Sequence, residues 1–337
     1  MARRKNKRSF EGLLILLLVA ILMAVLALLA LELGWLDKSD FPRPGDGLSQ
    51  KPESSQSATQ EVAPPDEEAE TLRICWIDVG QGDSALIIAP EATLLIDAGT
   101  PANGSEVLSL LKEEGIDRLD YIINTHPHSD HVGGLSRVVE GMRKGVGQVL
   151  ITPYAPELEP NIQSWSQFLQ AAEDVGALVE TALPDTEYDL GGGATLTLLG
   201  PTKVYDDMNT ASIICRVDFG EASFLFTGDA TVDSFTDLVK QGTSIEADLL
   251  KVAHHGSSTS TNKVVLRRID PKAAVISVGA ENDYDHPHSE VTDLLKQKNI
   301  PILRTDLQGS IWAVTDGETI KLTAQRGQKE PLLIDAN

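Results

Sequence analysis

The seven histidines of this 337-residue chain fall into three short clusters: His126, His128 and His131; His254 and His255; and His286 and His288. None is left over for ordinary surface or core use. That distribution is what a metal centre assembled from loops requires, because neutral imidazole is a common ligand for zinc and its neighbours. The first cluster, His126-Pro127-His128-Ser129-Asp130-His131, follows the apolar run Leu119-Asp120-Tyr121-Ile122-Ile123-Asn124 and precedes Val132-Gly133-Gly134-Leu135. It sits where a buried strand gives way to a turn and a helix. Open α/β layers place their chemistry at such strand ends.

The spacing has a physical meaning. Pro127 keeps His126 extended, and in an extended segment side chains at i and i+2 project to the same side, so His126 and His128 are expected to grip one ion. Asp130 and His131 follow the turn with different directions and suit a second ion, with Asp130 also a candidate catalytic group. Two ions about 3.5 to 4 Å apart share an activated hydroxide and clamp both sides of an in-line displacement, as in many phosphatases and nucleases. Two acidic motifs join this set. Leu94-Leu95-Ile96-Asp97-Ala98-Gly99 and Phe224-Leu225-Phe226-Thr227-Gly228-Asp229 are apolar strands ending in an aspartate near a glycine, where the backbone turns sharply. Asp229 is the candidate bridging ligand, and Asp97 the candidate that orients a ligand from behind. A solvated turn aspartate is the plainer alternative at either position, more so at Asp97.

These residues resemble the signature of the metallo-β-lactamase superfamily, with Asp97 and Asp229 in its order along the chain. Three further segments, Asp78-Val79-Gly80-Gln81-Gly82-Asp83-Ser84, Leu250-Lys251-Val252-Ala253-His254-His255-Gly256-Ser257 and Asn282-Asp283-Tyr284-Asp285-His286-Pro287, narrow the resemblance. Together they resemble the extracytoplasmic, nuclease-like domain of bacterial DNA-uptake competence proteins of the ComEC/Rec2 type, from about Arg73 to about Arg326. The resemblance implies an αββα sandwich, two mixed β-sheets packed face to face with helices outside, carrying two divalent metal ions, zinc or manganese. It implies a DNA or other phosphodiester substrate and a competence or envelope partner.

One departure stands out: no histidine occurs between His131 and His254, where many superfamily members supply another ligand. Asn209 and Ser212 occupy the stretch that resembles an asparagine-serine motif of the competence domains. An amide oxygen is a weaker, harder ligand than imidazole, so the first ion is expected to be loosely held. His254 or His255 is expected as a ligand or as the acid that protonates a leaving oxygen; adjacent residues of a strand face opposite ways, so each job takes one of them. His286 resembles the late histidine of the competence domains and is expected to close the second ion's shell, with a turn histidine as the alternative, while His288 is peripheral. Asp78, Gln81 and Asp83 are expected to touch the site through hydrogen bonds, and Gly256 and Ser257 to offer donors to a phosphate.

The rest of the chain splits by composition. Residues 1–9 carry five basic residues, and Leu13 to Leu33 is an almost unbroken apolar run. As a helix at about 1.5 Å per residue that run spans roughly the 30 Å hydrocarbon core. Trp35 follows at the interface position, and the positive-inside bias puts the amino terminus in the cytoplasm and the body outside. A cleaved signal peptide is the competing reading, but its apolar core runs about 7 to 15 residues, shorter than this one. Residues 37–71, rich in Pro, Ser, Gln, Glu and Asp, form a tether. The expected organisation is a head and single transmembrane anchor at 1–36, a linker at 37–71 and a hydrolase domain at 72–337, on the cell membrane of a bacterium.

The formal net charge is -22, and beyond residue 71 the body keeps 20 basic and 39 acidic residues. Such a body repels phosphate backbones unless divalent ions and a local basic patch intervene. Lys251, Lys263, Arg267, Arg268 and Lys272 cluster in sequence and are the candidate patch, with a solvated helix face as the alternative. Cys75 and Cys215 lie in expected strands with no ligand spacing; two cysteines are not a disulfide framework, and buried free thiols are the favoured state.

Overall fold

The computed structural model describes residues 70–154 and 160–336, so the expected head, membrane anchor and nearly all of the tether lie outside the described residues. Among the described residues no helix is long and apolar enough to cross a membrane.

In chain order the strands are β1 (Leu72–Trp76), β2 (Ala85–Ile88), β3 (Thr93–Ile96), β4 (Leu119–Asn124), β5 (Val146–Ile151), β6 (Leu178–Thr181), β7 (Thr186–Gly191) and β8 (Ala194–Gly200). There follow β9 (Ile214–Phe219), β10 (Ala222–Phe226), β11 (Leu249–Lys251), β12 (Ala273–Ile276), β13 (Ile302–Arg304), β14 (Ile311–Thr315), β15 (Thr319–Ala324) and β16 (Leu332–Asp335). One sheet runs β16-β15-β14-β1-β2-β3-β4-β5-β6, and the other β13-β12-β11-β10-β9-β8-β7. Both are mixed: β3 to β6 are parallel in the first, β10 to β13 in the second, and the remaining neighbours are antiparallel.

Strand alternation decides the layers. In β1, Leu72, Ile74 and Trp76 point between the sheets while Cys75 points outward, and β10 sends Ala222, Phe224 and Phe226 inward and Leu225 outward. Trp76 of one sheet stacks on Phe226 of the other, with ring centroids 5.9 Å apart. Side chains of this size, buried as these are, contribute about 1.5 to 3 kcal/mol each. Helices Gly104–Glu113, Leu135–Gly141 and Gln163–Asp174 cover the outer face of the first sheet. Helices Val232–Gln241, Lys263–Ile269 and Ser289–Gln297 cover the second. This is the αββα sandwich expected from the sequence.

The parallel strands carry the chemistry. β3, β4, β10, β11 and β12 deliver Asp97, Thr125-His126, Asp229, His254-His255 and Ser277 just past their carboxyl ends. The two sheets are joined at this rim, where Ile213 N donates to Thr125 O at 2.9 Å. Both cysteines are free and buried, Cys75 under the outer helices and Cys215 between the sheets, and burial pushes both thiols up. β6 is an edge strand exposed at all four residues.

Candidate metal centre

His126 leaves β4 fully buried, with Nδ1 3.2 Å from Thr125 Oγ1 and 3.4 Å from Ser212 Oγ, so its Nε2 faces the cleft. There it lies 3.0 Å from His128 Nδ1 and 3.8 Å from Asp229 Oδ2. The i, i+2 pair does project to one side, and His126, His128 and Asp229 form a group tight enough to hold a cation. His254 reaches the same oxygen, with Nε2 3.5 Å from Asp229 Oδ2.

The other oxygen of Asp229 faces a different set. Oδ1 lies 3.3 Å from His131 Nε2 and 3.7 Å from His255 Nε2, and His255 Nε2 is 3.3 Å from Asp130 Oδ2. Asp130, His131 and His255 form a second such group. Asp229 Oδ1, His131 Nε2 and His255 Nε2 are all buried and without a hydrogen-bond partner, although they point at one another. Orphaned lone pairs in a buried place are costly, and a divalent cation is the group that satisfies one carboxylate and two imidazoles together. The donor set fits zinc or manganese.

Asp229 arrives here because Gly228 turns the chain at φ +47, where a Cβ would lie 2.8 Å from Thr125 Cβ. Ser212 Oγ then accepts from Asp229 N at 3.1 Å. His254 and His255 do not face opposite ways as adjacent strand residues would. β11 ends at Lys251, and the two histidines lie in a short 3₁₀ turn with φ 52 and 51, which aims both rings at Asp229. The left-handed backbone is held by His254 N donating to Gly228 O at 3.0 Å.

Beneath the ligand atoms lies a bed of buried polar groups. Asp97 Oδ2 is 2.9 Å from His131 Nδ1 and takes Thr125 Oγ1 at 2.6 Å, while Oδ1 takes Asn124 Nδ2 at 3.0 Å and Thr125 N at 2.9 Å. His255 Nδ1 is 2.9 Å from Ser277 O and 3.3 Å from Asp83 Oδ1. Both imidazoles are thereby turned so that Nε2 faces Asp229. Asp83 is itself paired with the buried Lys251, whose ammonium also lies 3.5 Å from Gly228 O. Gly82, at φ +145, allows Asp83 this close: a Cβ there would sit 2.4 Å from Asp130 O.

The charges respond to this crowding. Burial pushes the His131 imidazole down, but Asp229, Asp130 and Asp97 around it hold it well above its ordinary value. His255 is likewise opposed by burial and lifted by Asp229 and Asp83, to about 10. Burial raises Asp229, but His131 and His255 hold it well below the usual carboxylate range. His126, buried beside His131, is pushed well down. Burial, then the charges of His255 and His254, bring His286 down to about 4.

A cleft of about 410 Å³ opens over this centre, lined by Gln81, His128, Ser129, Asp130, Ile162, Asn209, Asp229, His254, His255, Tyr284 and His286. Asn209 Oδ1 and Gln81 Nε2 are buried on its wall with no partner. His286 stands one ring further out, its centroid 5.4 Å from that of His254 and 6.2 Å from that of His255.

Residues 77–280 match the family model described as Metallo-beta-lactamase superfamily. The chain belongs to that superfamily. It is 31% identical over 253 residues to ComE operon protein 3 of Bacillus subtilis (strain 168), covering 70% of this chain and 32% of that protein. It is 33% identical over 255 residues to Competence protein ComA of Neisseria gonorrhoeae, covering 74% of this chain and 33% of that protein. The chain thus spans about one third of the length of the curated relatives it matches. The metallo-beta-lactamase fold protein YhfI from Bacillus subtilis superposes with a TM-score of 0.49 at 16% identity, over 73% of this chain and 100% of that chain.

Other residues of this metallo-beta-lactamase domain do not sit where sequence reasoning put them. Asp78 braces its own turn, taking Gly80 N at 3.2 Å and Arg326 Nη2 at 3.1 Å, and does not line the cleft. Gly256 packs against Pro287, and Ser257 N donates to His254 O at 2.8 Å while its Oγ lies 2.9 Å from Thr259 Oγ1. Neither residue lines the cleft. His288, by contrast, is peripheral as expected, with Nδ1 accepting from Ser258 N at 3.0 Å. The candidate basic patch does not form as one surface: Lys251 is buried on Asp83, Lys272 pairs with Asp248 at 3.1 Å, and only Lys263, Arg267 and Arg268 stand exposed on their helix. Sequence reasoning missed Thr125, Asn124 and the Ser277 carbonyl; Thr125 was detectable from its place between strand and ligand, whereas a backbone oxygen leaves no signal.

Proposed function

We propose that the chain is a membrane-tethered, extracytoplasmic two-metal hydrolase that cleaves phosphodiester bonds in DNA or nucleotides. The observation that carries this reading is the division of Asp229, with Oδ2 turned to His126 and His254 and Oδ1 turned to His131 and His255. In this reading His126, His128, Asp229 and His254 hold one ion, with Asn209 as a further oxygen ligand beside them. Asp130, His131, Asp229 and His255 would hold the other, with His286 one ring further out beside His254 and His255. Two divalent ions, zinc or manganese, would supply Lewis-acid activation of the diester and of the attacking water.

The chain's own residues supply the geometry. Asp97 and the Ser277 carbonyl fix the directions of His131 and His255, and the Asp83–Lys251 pair braces His255 from below. His254, whose Nε2 is turned to Asp229 Oδ2, serves in this reading as a ligand and not as the acid for a leaving oxygen. The similarity to a competence protein supports DNA as substrate, and the apolar run at Leu13 to Leu33 supports the tether for a domain of residues 72–337. The test is hydrolysis by the purified full chain, with Mn²⁺ or Zn²⁺, of linear DNA, plasmid, RNA and bis(p-nitrophenyl) phosphate. Cleavage of the small diester but of no nucleic acid would redirect the reading to another envelope or small phosphoester. Failure to cleave any of them, with metal bound, would leave a metal-stabilised binding module.

A further inference from the structure

Tyr284 stands 63% exposed while lining the cleft over the centre. Its ring offers an apolar face to the cleft and is held in place. Asn282 caps the loop that carries it: its Oδ1 accepts from Tyr284 N at 3.1 Å and His286 N at 3.0 Å, and its Nδ2 donates to Gly279 O at 2.9 Å and His286 O at 2.7 Å. The Tyr284 ring stacks on His286 with centroids 5.7 Å apart and planes 23° apart, and His286 is the ring next to His254. A line of rings therefore runs from the mouth of the cleft to Asp229.

What the cleft lacks matters as much. Among the described residues no lysine or arginine lines it, and the body beyond residue 71 holds 39 acidic against 20 basic residues. A protein that grips a long phosphate backbone does so with lysine and arginine, and its affinity then falls steeply with salt. This cleft has no such grip, so a nucleic acid must be held locally: at one phosphodiester over the centre, through the unpartnered Gln81 Nε2, and through whatever stacks on the exposed ring.

We propose that Tyr284 is a base-stacking platform, and that the cleft takes an unpaired nucleotide segment, engaged at one phosphodiester with an adjoining base laid on the Tyr284 ring. This rests on the phosphodiesterase reading above. A base inside a duplex already spends its faces on its neighbours, so only a single strand or a frayed end can use the platform.

The test uses the full chain with Mn²⁺ and short single-stranded DNA and RNA oligonucleotides, intact or with abasic sites beside the scissile bond, plus a blunt duplex. Stacking on an aromatic side chain is worth about tenfold in affinity. Y284A and base removal should each raise KM about tenfold, and together should raise it no further, because both remove the same contact. Y284F keeps the ring and should stay within about twofold of the parent. The logarithm of affinity against the logarithm of salt should slope at about -0.7, one phosphate's worth, rather than about -4 as for six contacts. Binding of a 2-aminopurine strand in Ca²⁺, read as fluorescence quenching lost in Y284A, follows the stacking without turnover. Quenching that depends on Tyr284 with no cleavage of any diester would defeat the phosphodiesterase reading and leave the platform standing. Cleavage with the same KM for Y284A and the parent, or equal preference for blunt duplex, would overturn the platform.

Discussion

Lys251 and Asp83, 168 residues apart in the chain, form a buried ion pair, and the other oxygen of Asp83 lies 3.3 Å from His255 Nδ1. The lysine therefore neutralises a carboxylate that would otherwise stand uncompensated among Asp97, Asp130 and Asp229. Burial raises the Asp83 carboxyl, but Lys251 first and His255 second bring it below its ordinary value.

Removing one partner of such a pair strands the other. Lys251→Met is expected to lower unfolding stability by about 3 to 5 kcal/mol, while Lys251→Met with Asp83→Asn should recover much of the loss. Urea unfolding measures both, and a single-mutant loss below about 1 kcal/mol would show that the pair does not organise the bed.

The imidazoles of the metal-free protein set a second expectation. His131 and His255 have folded-state values raised above 6.5, so the stability they contribute is complete below pH 6.5 and is lost as pH rises toward about 10. His126, His254 and His286 are lowered and act on the other side, costing stability as pH falls below 6.5. Thermal unfolding in chelator should therefore peak near pH 6.5 and decline through pH 9. Metal must displace the protons on His131 and His255, so its affinity should climb over the same range. A flat profile from pH 6.5 to 10 would contradict the charges assigned to these rings.

Asp97→Asn tests the support behind His131. An amide cannot accept from His131, Thr125 and Asn124 at once as the carboxylate does. Metal affinity should fall about 10- to 100-fold, with about 1 to 3 kcal/mol of stability lost, read by competition with a chromogenic chelator and by denaturation. Unchanged affinity would make Asp97 a turn residue only.

These sites differ in how far they could be read from the chain. His126, His128, Asp130 and His131 were legible because their geometry is local: a proline-fixed extended segment followed by a helix turn. Asp97 and Asp229 were legible as strand ends beside glycine. The sandwich came through the motifs, since alternation alone does not say which sheet a strand joins. The directions of His254 and His255 were hidden because a left-handed turn, tied to Gly228 O, replaces the strand there. Lys251 looked like surface charge for a related reason: its partner lies in a distant loop, and nothing near it in sequence announces burial.

Asp229→Asn separates an enzyme from a binding module. The substitution keeps the shape of the side chain and leaves Asp229 N bonded to Ser212 Oγ, but it removes the charge that faces His126 and His254 on one oxygen and His131 and His255 on the other. An amide presents one oxygen where the carboxylate presents two, so the two corners lose their shared ligand and one ion should be lost from elemental analysis. Hydrolysis should fall by at least about 100-fold, roughly 2.7 kcal/mol in barrier, because an ion needed for the chemistry is gone. The same variant leaves the buried imidazoles of the metal-free protein with one carboxylate fewer, so their raised values should drop and the stability decline above pH 6.5 should shrink. A variant that keeps both ions and full activity would show that Asp229 bridges nothing. One that loses an ion, while the parent cleaves no phosphodiester and still binds nucleic acid, would identify the centre as structural.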